Sequence, residues 1–262
     1  VKMVLTGEGS DEVLGGYPKH VFERYGRYYR GLPSILRSNL VEPMTQALPY
    51  RYRRAKTAIR NFGIDNFDER MPSWFGAMNL AQATELMPIE EQRALPRINR
   101  SVSDDVLKNI LLFDQQSWLP DNLLERGDRM TMAASIEARM PFMDTVLAGF
   151  ASRLPTEYRV RGKTTKWILR AAMEDVLPKN ILERPKVGFR IPVNEWFRTS
   201  MKSQLVDCLL GPESLSNRLY DARVLNNLVD EHIRGRQNHE KTLWTLLNLE
   251  FWMREYGDRV SL

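Results

Sequence analysis

Residues 2–12, Lys2-Met3-Val4-Leu5-Thr6-Gly7-Glu8-Gly9-Ser10-Asp11-Glu12, constrain this chain more than any other stretch. Lys2 to Leu5 is a short run of β character, two glycines then free the backbone for conformations barred to other residues, and Ser10 with Asp11 can open a helix. The prediction is a strand, a glycine turn and a helix start. Such a junction exposes unpaired N–H groups at the positive end of a helix, where an anion binds. The same loop, however, carries Glu8, Asp11 and Glu12, which repel a polyphosphate unless a divalent cation lies between. The turn therefore makes most chemical sense with Mg²⁺, which takes oxygen ligands, and Glu8 is then free to handle a proton. A plain helix start after a glycine turn, its acids favoured by the helix dipole, accounts for the same letters without a ligand.

At 262 residues the chain is long enough to bury a real core as one large domain or two small ones. Its composition, 43% hydrophobic and 27% charged, is that of an ordinary globular protein. The single cysteine, Cys208, excludes an internal disulfide and fits a reducing compartment. It lies in the apolar helical pattern Gln204 to Leu210 and reads as core. The histidines, His20, His232 and His239, have no zinc-site spacing. No apolar run approaches the ~20 residues that span a bilayer, and no signal peptide is visible, so a cytoplasmic location is expected. The start at Val1, directly in an apparent strand, suggests a piece of a longer polypeptide, since a lone strand makes no sheet.

The net charge of +5 is modest, and two clusters, Arg24 to Arg30 and Tyr50 to Lys56, interleave basic residues with tyrosine. Such clusters can bind nucleic acid by phosphate contact and stacking. The blander and favoured reading is an amphipathic helix whose arginine stems cover apolar neighbours.

Beyond Tyr17 the pattern is helix after helix, with candidates at Ser34 to Leu48, Arg53 to Asn61 and Pro72 to Thr84. Ser103 reads as an N-cap to a broad apolar helix of Val106, Leu107, Ile110, Leu111 and Phe113, ended at Leu119-Pro120-Asp121. In the stretch 121–144, Asp128, Arg129, Glu137 and Arg139 sit among small and apolar residues; if that stretch packs, they must pair or meet a ligand. Asp144 can cap the helix that follows and runs to Pro155.

Gly162-Lys163-Thr164 invites a Walker reading, but position 157, where the first glycine belongs, is Glu157. The better reading is two lysines, Lys163 and Lys166, ahead of a helix whose Ile168, Leu169, Ala172 and Val176 pack inward. A lysine that reaches a phosphate or an acyl-adenylate stabilises developing charge, although a solvated lysine is the commoner outcome. The remainder predicts helices at Val193 to Leu210 ended by Gly211, at Asp221 to Arg234 and at Lys241 to Tyr256, the last with Leu243, Trp244, Leu247, Phe251 and Trp252 as its core side.

Thr6 to Glu12 with Gly15-Gly16-Tyr17 resembles the second nucleotide-site motif of the asparagine synthetase (glutamine-hydrolysing) family, with Thr6 where serine is usual. Further motifs follow in the family's order. Asp128-Arg129, Met132-Ala133, Glu137-Ala138-Arg139 and Pro141-Phe142 resemble a second hallmark, with Arg126-Gly127 where the family usually carries Lys-Val. Lys166 before Ile168-Leu169-Arg170 resembles the family's lysine loop, Leu177 to Trp196 its Arg-Pro-Lys and Gly-Phe pattern, and Leu243 to Trp252 its C-terminal helix. The resemblance runs from Val1 to about Trp252, though residues 18–100 match only in helical character.

The resemblance implies an adenine nucleotide hydrolase-like α/β fold whose parallel sheet comes largely from upstream. This chain is then the C-terminal portion of one synthetase domain, mostly helical with one N-terminal strand. It implies activation of the aspartate carboxylate with ATP and Mg²⁺ to aspartyl-AMP, release of pyrophosphate, and attack by ammonia drawn from glutamine. In that scheme Thr6, Gly7 and Lys163 contact the nucleotide, Asp11 the Mg²⁺, Glu8 assists proton transfer and Lys166 stabilises the intermediate. A homodimer of the full-length form and no membrane partner are also implied. The Ser-Gly-Gly-x-Asp-Ser pyrophosphate loop and a glutaminase cysteine nucleophile do not occur in these residues, so the chain by itself is expected to be inactive. Relatives that activate other carboxylates, in β-lactam, peptide or polysaccharide modification, and a basic nucleic-acid-binding module are the alternatives.

Overall fold

The computed structural model describes residues 1–48, 52–87, 103–184, 191–214 and 218–257. In chain order, strand β1 (Met3–Leu5) leads into α1 (Ser10–Leu14) and α2 (Pro18–Arg30). α3 (Ser34–Leu36) continues through a wide π-turn, Arg37–Val41, into α4 (Glu42–Ala47), and is followed by α5 (Arg53–Phe62), α6 (Phe67–Ser73) and α7 (Leu80–Leu86). Next come α8 (Val106–Gln116), a second π-turn at Leu119–Leu124, α9 (Glu125–Ala133) and strand β2 (Glu137–Arg139). α10 (Thr145–Arg153), α11 (Thr156–Arg159), α12 (Trp167–Ala172) and α13 (Lys179–Leu182) follow, and the chain closes with α14 (Val193–Arg198), α15 (Lys202–Leu210), α16 (Ala222–Ile233) and α17 (Glu240–Tyr256).

These elements form two compact units, one of Val1–Trp74 with Leu95–Pro185, the other of Phe75–Ala94 with Lys186–Leu262. In the first unit β1 is the expected N-terminal strand, and it is joined by β2 in parallel, Val4 opposite Ala138. The backbone N–H of Thr6 extends the ladder to the Arg139 carbonyl at 2.9 Å, so the first glycine turn begins where the pairing ends. Val13 and Leu14 of α1 pack with Ala151 of α10 and, around them, Phe142, Ile168 and Leu169. A second cluster holds Tyr29, Phe62, Met71, Trp74, Ile110 and Phe113. Burial of these apolar side chains supplies the drive that short helices such as α1 and α12 lack by themselves.

The same unit buries charge. Asp114, with no exposure, accepts from Lys19 and, at 2.9 Å, from Nε2 of His20. The Tyr17 backbone N–H donates to His20 Nδ1 at 3.1 Å, so Nδ1 carries no proton and Nε2 is the donor. Burial pulls the His20 and Lys19 pKa values down, with Asp114 opposing it in both. Glu23 receives Trp74 Nε1 at 2.8 Å and Arg70 Nε at 3.2 Å.

The second unit is a helical cluster around Phe197, Leu205, Leu209, Leu225, Leu243 and Leu247. Cys208, 8% exposed, is part of it, as its helical pattern predicts. Asp221 caps α16 by accepting from the N–H groups of Arg223 and Val224.

Several local expectations are corrected. Pro72 to Thr84 is not one helix: α6 stops at Ser73, and Asn79 with Gln82 forms a reciprocal cap that starts α7. Asp105, rather than Ser103, caps α8, because its carboxylate reaches the N–H groups of Leu107 and Lys108 while the Ser103 hydroxyl accepts from Asp105 N. Val193 to Leu210 breaks into α14 and α15 across residues 199–201. Ile168 and Leu169 pack inward, but Ala172 and Val176 are exposed, since α12 ends after fewer than two turns. The buried side of α17 is Thr242, Leu243, Leu246, Leu247 and Glu250, leaving Trp244, Phe251 and Trp252 exposed.

Arg129 and Arg139 pair with Glu125 and Glu137 on exposed surface, and Asp128 is exposed as well, so that stretch carries solvated charge rather than buried charge. On α2, Arg24 and Arg27 stack on the exposed Tyr25 and Tyr28 while Tyr29 is buried, the amphipathic arrangement of the blander reading. Tyr50 and Arg51 of the second basic cluster, and the Arg-Pro-Lys and Gly-Phe letters at 184–189 apart from Arg184, lie outside the described residues.

Candidate functional site

The turn between β1 and α1 lies at the carboxyl end of the parallel pair, where open α/β sheets place their ligands. Its glycines divide the work unequally. Gly9 has φ 86° and precedes α1 as its N-cap, a left-handed position that glycine adopts without cost. Gly7 has no positive φ and no atom within 4 Å of an added Cβ. Ser10 opens the helix as expected, as its first residue, while Gly9 takes the cap position and the Ser10 hydroxyl donates to the Gly7 carbonyl at 2.8 Å.

α1 presents Asp11 to Lys166, distant in sequence but at the start of α12, which packs beside α1, with Lys166 Nζ at 3.0 Å from Asp11 Oδ1. The same ammonium donates to Ser10 Oγ at 2.8 Å. Both charged side chains are about four-fifths shielded from solvent, at 20% and 21% exposure, so water screens the pair only in part. Lys166 caps α12 with φ 50°, an uncommon left-handed conformation for a side chain of this kind. Its backbone N–H reaches the Gly15 carbonyl at 3.3 Å, and Arg170 NH returns to the Lys166 carbonyl at 3.1 Å. Lys166 is thus fixed at both its backbone and its ammonium.

The Gly15-Gly16 turn forms the floor of this pair. A Cβ on Gly16 would stand 1.5 Å from Asp11 Oδ1 and 2.5 Å from Lys166 Cε. Below it Glu12, fully buried, accepts a hydrogen bond from the Tyr17 hydroxyl. Burial raises the Glu12 pKa, the Tyr17 hydrogen bond opposing it, and burial also raises the Tyr17 pKa.

Glu8 turns toward α9 instead. Its Oε2 is shielded from solvent and accepts no hydrogen bond, and it lies 2.8 Å from where a Cβ on Gly127 would stand. Thr6 Oγ1 is likewise buried and without a hydrogen-bond partner. Lys163 is exposed, in the tight turn bridged between Arg161 and Thr164. The structure therefore joins Asp11 with Lys166, adds Ser10 and Gly16 to them, and gives Glu8 a separate neighbour. In the sequence Ser10 reads only as a helix start and Gly16 only as part of the Gly15-Gly16-Tyr17 motif, and neither carries a signal of its place beside Lys166. Among the described residues no three His, Cys, Asp or Glu side chains converge as a metal cluster.

A parallel strand pair with a glycine turn at its carboxyl end, faced by a lysine from the start of a helix far along the chain, is an α/β arrangement. Residues 1–254 match the asparagine synthase family, and the chain belongs to that family. A putative glutamine-hydrolysing asparagine synthetase of Mycobacterium tuberculosis is 31% identical over 258 residues, covering 96% of this chain and 39% of that protein. Glutamine-hydrolysing asparagine synthetase 1 of Bacillus subtilis is 26% identical over 263 residues, covering 96% of this chain and 40% of the relative. The chain thus spans about two-fifths of the length of these relatives. No solved structure matches.

Proposed function

We propose that this chain is the nucleotide-facing portion of the synthetase domain of an ATP-dependent, glutamine-using amide ligase that converts aspartate to asparagine. The observation that carries the reading is the approach of Lys166 Nζ to Asp11 Oδ1 at 3.0 Å, since the mechanism needs the acidic turn and the distant lysine at one place. Family membership supports the reaction class.

In this reading the aspartate side-chain carboxylate attacks the α-phosphorus of ATP, the bond to the β-phosphate oxygen breaks, and pyrophosphate leaves. Lys166 offers its ammonium to the charge that gathers on the transferring phosphoryl group, and the Asp11 and Ser10 contacts hold it ready. Ammonia then attacks the acyl carbon of aspartyl-AMP and AMP departs, with Glu8 accepting a proton from the attacking nitrogen. Thr6 Oγ1, buried and lacking a hydrogen-bond partner, is a ready contact for a polar group of the nucleotide, with Gly7 and the exposed Lys163 as further contacts.

Asp11 fits Mg²⁺ as a single carboxylate ligand, because that ion commonly takes one or two carboxylates and completes its shell with phosphate oxygens and water. Bound there, the ion supplies neutralisation of phosphate charge. Ammonia derived from glutamine and a full-length homodimer belong to the same proposal.

The test is aspartate-dependent exchange of labelled pyrophosphate into ATP by the intact polypeptide that carries this chain. Exchange that requires aspartate supports the reading, whereas exchange driven equally by unrelated carboxylates, or absent altogether, overturns it.

A further inference from the structure

Gly127 stands inside α9, where glycine is a poor helix residue and where its backbone, without a positive φ, has no need of one. The space beside its bare Cα is filled by the Glu8 carboxylate. An added Cβ would meet Oε2 at 2.8 Å and Cδ and Oε1 at 3.6 Å, and the nearest atoms all belong to that one side chain. Oε2 is shielded from solvent there and accepts no hydrogen bond. A buried carboxylate oxygen without a partner is costly, so something other than hydrogen bonding keeps Glu8 in this place.

We infer that in this chain, which departs at Gly127 from the valine usual in the motif it resembles, Gly127 is a positioning residue for Glu8: the missing side chain on α9 is the recess that seats the carboxylate at the turn. This rests on the reading in which Glu8 handles a proton during amide formation. Since the atoms in the way form the far end of a flexible side chain, a methyl group at 127 displaces the carboxylate and leaves the helix intact. The recess thus sets where the proton acceptor stands, and a methyl group in it meets none of Thr6, Gly7, Lys163 or the Asp11–Lys166 pair among its nearest atoms.

The experiment is a double-mutant cycle in the intact polypeptide, with G127A, E8Q and the combined variant, reading asparagine formation from ammonia and thermal midpoint. Expected for G127A is an unchanged or higher midpoint, a fall in kcat of about ten- to a hundred-fold from misplacing the acceptor, and a KM for ATP within about twofold. In the E8Q background the same glycine change costs no further activity. Wild-type kcat in G127A, or an equal further loss on top of E8Q, overturns the inference, and so does a G127A protein that fails to fold, since the helix would then be what needs the glycine. E8Q with wild-type kcat removes the role of Glu8 itself, a failure of the functional reading that the other arms do not produce.

Discussion

The ammonium of Lys166 rests 3.0 Å from the carboxylate of Asp11, although one begins α12 and the other lies in the first turn of α1. Left-handed backbone at a non-glycine residue costs on the order of 1–3 kcal/mol, and at Lys166 it is held by the Gly15 carbonyl beneath and the Arg170 N–H above. Strain retained at one residue, with that residue's ammonium aimed at an acidic turn, is the arrangement expected where placement matters more than stability.

Replacing Lys166 with methionine keeps the length of the side chain and removes its charge. Pyrophosphate exchange should fall by roughly two to three orders of magnitude, the loss typical of deleting one preorganised electrostatic contact. ATP binding, read by calorimetry, should change far less than exchange. An equal loss in both would place Lys166 in ground-state binding rather than in the chemical step.

Asp114 is the centre of the buried charge in the first unit, since Lys19 and His20 both bond to it and neither reaches water. Asp114→Ala leaves a buried ammonium without its counter-charge. The expected loss is about 3–5 kcal/mol of unfolding free energy, measured by denaturant titration. A loss below about 1 kcal/mol would mean that Lys19 finds another partner or neutralises at little cost.

Acid should weaken the fold through His20. Burial lowers its pKa below the ordinary value near 6.5, so the unfolded chain takes up a proton at a pH where the folded chain does not. Stability from this group is complete above about pH 6.5 and falls, by at most about 1.4 kcal/mol per pH unit, as pH drops toward the folded value. Asp114, Lys19, Tyr17 and Asp11 face or influence the ring, and Glu12, whose pKa burial raises, acts with the opposite sign near its own ordinary range. His20→Gln should therefore show a shallower loss of stability than the parent between pH 6.5 and 5. Parallel curves would show that His20 is protonated in the fold.

What the letters reveal divides by range. β1, the Asp144 and Asp221 caps and the Gly211 stop are local devices, written within a few residues of where they act. The approach of Lys166 to Asp11 is not local, and it was legible only through the order of the motifs. Periodicity misled on α17 because Trp244, Phe251 and Trp252 line the exposed side while Thr242 and Glu250 are buried. Asn79 sits inside an otherwise continuous helical pattern, and only its reciprocal bond with Gln82 marks the break. Gly127 illustrates the limit: nothing near it in sequence hints at Glu8, and the contact exists because β1 and α9 belong to the same packed unit.

Gly16 gives the sharpest test of the paired turn, because its backbone has no positive φ and glycine is required there for space alone. A methyl group would lie 1.5 Å from Asp11 Oδ1, 2.5 Å from Asp11 Cγ and 2.5 Å from Lys166 Cε, so both side chains must leave their present positions. Overpacking of this kind costs about 1–3 kcal/mol, so Gly16→Ala should still fold while its exchange activity drops by roughly a hundredfold. Gly7→Ala is the matching control for stability, since nothing stands within 4 Å of its added Cβ and the change should stay within about 0.5 kcal/mol. If Gly16→Ala retained full exchange, Asp11 and Lys166 could part without consequence and their contact would be incidental to the chemistry.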